Sequence, residues 1–307
     1  MPGRNDIATE ITSNDRQDVV RRRYLSELSK HTGRNTIIYS TAFTCKKVQL
    51  QQLPGMLLSV TPEDIQGFMA SIHDLQGDQL DLILHSPGGS AESAEQIINY
   101  LRSKFNHIRA IVPQNAMSAA TMLACGCDEI VMARHSAIGP IDPQMGVTSG
   151  NGSSYFIPAQ SILDEFEQAK SEVSGNPKLA TLWVSRINSY PHGFFKKCED
   201  TIKLAKTMVE SWLKDYMFKG ETTTAPSDIA EWLGSASEHL THGKPIDINS
   251  ARAKGLKVSA LEDDPILQDL VLSVFHATML TFDVTGCVKI IENQNGKGWY
   301  SVVNIQK

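Results

Sequence analysis

Two short stretches of this chain hold residue types that can do chemistry. In His85-Ser-Pro-Gly88-Gly89, two residues without a Cβ follow an apolar run and precede a helical pattern, so their amides are presented at a helix N-terminus. N–H donors fixed in that way hold an anion, either a phosphate or the oxyanion of an acyl-transfer intermediate; a tight turn accounts for the same glycines equally well. In Gln114-Asn-Ala-Met117-Ser118-Ala119-Ala120, a serine stands where a helix crowded by small residues begins. It reads either as an N-cap or as a nucleophile in the field of the helix terminus. The conjunction favours chemistry, because both stretches lie at the carboxyl ends of neighbouring strands, where α/β sheets bind ligands.

The elements that must position these residues follow from periodicity. Residues 35–40 and 80–85 read as strands, and residues 61–75 read as a helix with Ile65, Phe68, Met69 and Ile72 on one face. Ser90 can cap a helix whose Ala91, Ala94, Ile97, Ile98 and Leu101 keep helical spacing, and residues 108–112 supply the next strand. Strand, helix and strand within about thirty residues make a right-handed parallel crossover. The pattern repeats at once with a small-residue helix over 118–126, a strand over 129–132 and a loop over 139–143. A turn-rich insertion at 146–155 precedes helices over 158–174, 177–188 and 197–216, and another helix over 248–254 is closed by Gly255. Beyond Pro265 come a helix to about Leu280 and a hairpin turning at Asn295-Gly296. At the other end, a polar arm with a short helix around 24–28 is expected to be mobile or to serve contacts, with Arg21 to Arg23 on a solvated face.

Composition removes several classes. With 41% hydrophobic and 21% charged residues the chain is globular rather than disordered, and a net charge of -5 leaves no footprint for nucleic acid. The five cysteines are odd in number and scattered apart from Cys125-Gly-Cys127, which points to core thiols and away from a disulfide framework or a metal site. No apolar run approaches the roughly 20 residues of a membrane span, and the first residues lack the apolar stretch of a signal peptide. The expectation is a soluble cytoplasmic protein with no membrane or nucleic-acid partner.

The run from Leu80 to Gln144 resembles the Clp-protease/crotonase superfamily, and within it the serine dehydrogenase proteinase family, soluble relatives of signal peptide peptidase A. The resemblance rests on His85-Ser-Pro-Gly-Gly, Ala116-Met-Ser-Ala-Ala-Thr, Asp128-Glu-Ile-Val-Met and Gly139-Pro-Ile-Asp-Pro-Gln, with a closing segment at His242-Gly-Lys-Pro-Ile and Ala253-Lys-Gly-Leu. It implies an α/β fold: a crotonase/Clp-like spiral of repeated ββα units with parallel sheets and flanking helices. The chain then divides into an N-terminal arm and short helix (1–34), a protease core (35–263) and a C-terminal helix and hairpin appendage (264–307). The resemblance further implies that Ser118 is the nucleophile and that the backbone N–H groups of Gly89 and Ala119, assisted by Gly88, form the oxyanion hole. The loop that holds the Clp-type histidine, here Ser136 to Pro143, contains none. Signal peptide peptidases use a lysine instead, and Lys170, 52 residues after Ser118, has the matching spacing, with Lys178 and Lys196 as alternatives. The lysine of membrane-anchored relatives aligns near Gln160. The bland reading of Lys170 is a solvated pair with a glutamate one turn away. His85, Asp142 and Gln144 stand as supporting residues that orient base or substrate, or merely fix their loops.

The function implied is that of a soluble, ATP-independent serine endopeptidase needing no cofactor or metal. It would act on polypeptides as a homo-oligomer, with the N-terminal arm or C-terminal segment open to a regulatory partner. A crotonase-like acyl-CoA enzyme using the same oxyanion hole and a catalytically inactive scaffold are the alternatives.

Overall fold

The architecture is that of a computed structural model describing residues 3–14, 17–45, 55–148 and 154–303. Its centre is a seven-stranded sheet. Strands β1 (Asn35–Thr41), β2 (Gln79–His85) and β3 (His107–Val112) run parallel and alternate with the helices Asp64–Ile72 and Ala91–Arg102. Two residue pairs, β4 (Asn115–Ala116) and β6 (Ala137–Ile138), flank the helix Ala119–Cys125 and β5 (Glu129–Met132). The insertion forms an antiparallel hairpin of β7 (Gln144–Thr148) and β8 (Ser154–Pro158). Strand β9 (Val258–Ala260), the helix Pro265–Val284 and the hairpin β10 (Cys287–Asn293) and β11 (Gly298–Val302) complete the order β11-β10-β1-β2-β3-β5-β9.

Both faces of this sheet are covered, as the near-continuous apolar strands require. Ile38, Ile83, Ile111 and Val131 sit in register across four strands and pack with Leu267, Val271 and Val274 of the helix Pro265–Val284. Their neighbours at period two, such as Ile37, Leu82, Ala110 and Ile130, face the opposite core. At the carboxyl ends of the strands, β4 pairs in parallel with β6, while Ser86 and Ile246 bridge to Ala116 and Ile138 on either side. Each repeat thus gives one strand to the large sheet and one short strand to a second layer, the mixed α/β core of a crotonase/Clp-like spiral.

The two chain ends differ from expectation. The N-terminal segment forms two helices, Arg4–Asn14 and Gln17–Thr32, docked on the helix Pro265–Val284. Arg21 is 1% exposed and donates to Glu292 at 2.7 Å, so it lies in the interior, not on a solvated face. The C-terminal hairpin is woven into the sheet, with β10 antiparallel to β1. The hairpin turns where the sequence places it, and Asn293 Oδ1 accepts from the amides of Asn295 and Lys297. By length and composition the helix Pro265–Val284 is apolar enough to cross a bilayer, contrary to expectation, yet 61% of its apolar 18-residue stretch is buried within the protein.

Candidate active site

The backbone at Ser118 has φ 50° and ψ -119°, a left-handed conformation that a side chain adopts only under strain. An N-cap takes extended backbone and lends its side chain to the helix amides. Ser118 does neither: it makes no side-chain cap bond, although it directly precedes the helix Ala119–Cys125. The half-buried hydroxyl is therefore not used to hold the helix.

The glycine turn stands against this serine. At Gly88, φ is 95°, and a Cβ would lie 2.6 Å from Ser118 Cβ and 2.8 Å from the Ala119 nitrogen, so only glycine permits the approach. Gly89, at φ 153°, runs so close to Val60 that a Cβ would fall 2.4 Å from its carbonyl oxygen. Val60 clamps the turn from both sides, donating to Gly88 O at 2.7 Å and accepting from Ser90 N at 3.0 Å. The Gly88 amide, expected to assist the oxyanion hole, donates to Ser86 Oγ at 3.2 Å. No hydrogen bond from the Gly89 or Ala119 amide is found among the described residues.

Ser118 and the turn open on a cleft of about 690 Å³ whose wall includes Val60, Gly89, Gln144, Phe156 and His242. Phe156, on β8, is 75% exposed and gives the cleft an apolar rim. Gln144 and Asp142 touch: Gln144 Nε2 donates to Asp142 Oδ2 at 2.7 Å. The other oxygen of Asp142, a residue only 3% exposed, receives His242 Nδ1 at 2.8 Å. The antiparallel bridge between Ile138 and Ile246 carries the His242 loop alongside the Asp142 loop. Sequence reasoning took His242 only as part of a closing segment, because the bridge is invisible in a linear pattern.

The expected lysine is elsewhere. Lys170, on the helix Ala159–Gly175, is 56% exposed, donates to both Glu167 oxygens at 2.7 and 2.9 Å and does not line the cleft. The side chain occupies a solvated i,i+3 pair outside the described cleft wall, without the burial a lysine base needs. Lys178 and Lys196 are also exposed and outside the cleft, and Gln160 bonds Asp164.

His85 is likewise not a proton donor to this site. Its ring lies fully buried against Phe43 and Phe275, with Nδ1 accepting from the Asn115 amide and Nε2 at 3.1 Å from Thr44 Oγ1. Burial lowers its pKa to about 3, so the imidazole is neutral. The five cysteines are buried, and burial pushes the Cys125 and Cys127 thiols up to about 12. No group of three or more His, Cys, Asp or Glu suited to a metal occurs among the described residues.

The chain is similar to several known proteins. Two relatives from Methanocaldococcus jannaschii, the uncharacterized proteins MJ0137 and MJ1495, are 28% and 29% identical over 64% and 65% of this chain, which spans 68% and 59% of their lengths. Among solved structures, the membrane-bound stomatin-specific protease 1510-N, as a mutant in complex with a substrate peptide, is 18% identical with a TM-score of 0.35 over 74% of each chain. A second mutant of that protease gives 18% and 0.32 over 66% of this chain and 92% of its own. Those superpositions are too loose to assign a role to any residue. The family model of the ClpP-like SDH-type serine proteinases matches residues 7–271, and the chain belongs to that family.

Proposed function

We propose that Ser118 is the nucleophile of this serine-protease-like hydrolase and that the amides of Gly89 and Ala119 hold the oxyanion of a peptide-bond tetrahedral intermediate. The observation that carries the proposal is the strained Ser118 backbone, pressed against Gly88 with its hydroxyl released from capping. Gly89 and Ala119 belong to the two junctions that meet there, and their N–H groups are unspent among the described residues. The apolar rim at Phe156 and the clamp at Val60 suit an extended polypeptide. An acyl-CoA substrate would want cations for its phosphates, and neither Lys nor Arg lines the described cleft. A serine-directed fluorophosphonate tests the proposal. Wild-type protein should be labelled and cleave casein, and Ser118→Ala should abolish both; a wild type inert to the probe and to peptides would establish the scaffold reading instead.

A further inference from the structure

We infer that the general base for Ser118 is His242, held in position by Asp142, so that the site is a serine–histidine–aspartate system assembled from three separate loops; the inference rests on the nucleophile proposed above. A serine hydroxyl needs a base within reach of the same cleft. Among the described residues of the cleft wall, only His242 and Glu92 carry a side chain of the general-base type. Glu92 lies in the first turn of the helix Ala91–Arg102, where it accepts from Ser90 Oγ at 2.8 Å and favours the helix dipole as an anion. That leaves the histidine.

Its orientation suits the task. Asp142 is buried, and a carboxylate can only accept, so His242 Nδ1 donates to it, and in the neutral imidazole this leaves the lone pair on Nε2. Gln144 occupies the second carboxylate oxygen and fixes the plane of the pair. No hydrogen bond to Nε2 is found among the described residues, and the side chain keeps 29% exposure on the cleft. A buried acid fixing the tautomer of a half-exposed imidazole is the arrangement general-base catalysis requires.

The steps balance as follows. Ser118 Oγ bonds to the peptide carbonyl carbon as its proton passes to His242 Nε2, and the carbonyl π pair moves to the oxygen facing Gly89 and Ala119. Collapse breaks the C–N bond, and the proton on Nε2 goes to the departing amine. Water then gives a proton to Nε2 and its oxygen to the acyl carbon; release of the acid returns the proton to Ser118. Asp142 acts through His242 and is a positioning residue.

The test measures peptide cleavage and fluorophosphonate labelling on the full chain. His242→Ala should lower kcat at least about 100-fold with little change in KM, and added imidazole should restore part of the labelling. Asp142→Asn, which keeps the shape but reverses the hydrogen-bond sense, should lower kcat with KM preserved. His242→Gln serves the same purpose if the alanine variant fails to fold. Lys170→Ala should match wild type. If folded His242 variants stay within threefold of wild type while Ser118→Ala is dead, the base assignment is overturned and the nucleophile stands. If Ser118→Ala equals wild type, both fall.

Discussion

Lys289 Nζ lies 2.7 Å from Asp64 Oδ1 and 2.7 Å from the carbonyl oxygen of Ser59, with both side chains almost wholly buried. Asp64 also accepts from Tyr39 Oη at 2.6 Å and from the Thr61 amide at 3.0 Å, so its charge is fully paired. The lysine comes from β10, whereas Ser59 and Thr61 flank the Val60 that clamps the glycine turn. Removing one member of a buried pair strands the other, at about 3–5 kcal/mol. Lys289→Met should therefore lower the unfolding free energy measured in urea by that amount, and the double variant Lys289→Met with Asp64→Leu should recover part of the loss.

The close approach at Gly88 makes a second prediction. In Gly88→Ala, the new methyl meets Ser118 Cβ and the Ala119 amide, so nucleophile and oxyanion donor must separate. Displacing one such donor costs about 10²–10³ in kcat. The variant should remain folded by circular dichroism and lose activity on that scale, and wild-type turnover from it would show that the two junctions do not act together.

Strain at Ser118 should be visible as stability. Glycine tolerates φ 50° and ψ -119°, so Ser118→Gly should relieve the strain and gain about 1 kcal/mol after glycine's own entropy cost. Ser118→Ala keeps a Cβ and should gain nothing. Urea unfolding of the two inactive variants side by side measures the difference.

His85 sets a pH dependence. Its native pKa is lowered to about 3, whereas the unfolded chain protonates at its ordinary 6.5, so between those values the unfolded state binds more protons. Stability should fall as pH drops through that window, by about 1.4 kcal/mol per pH unit from this group. His85→Gln, which keeps a donor and an acceptor but does not titrate, should show a shallower decline in unfolding free energy between pH 6.5 and 3.

What the sequence made legible follows the range of the interactions. The strands and crossover helices of the core are local patterns, and the cap at Ser90 is a local contact: its Oγ accepts from Ser93 N at 3.0 Å. The two junctions were legible because glycine and small residues are confined to few backbone roles. The exposed placement of Lys170 was not legible, because spacing along a chain does not say which side of a helix faces the cleft. Arg21 looked like one of three solvated arginines because its partner, Glu292, lies 271 residues away. His242 was missed for the same reason: its link to Asp142 spans 100 residues and depends on the Ile138–Ile246 bridge.

The place of β10 beside β1 has a consequence for timing. Every described residue on the cleft wall precedes Lys289 in the chain, so a ribosome has made the whole cleft before it makes the lysine that secures the Val60 segment. Until β10 is added, the outer edge of β1 is bare and Asp64 lacks its counter-ion. The contacts that frame the glycine turn are thus completed only after the described cleft wall has been synthesised, so the site's last structural support comes from the end of the chain.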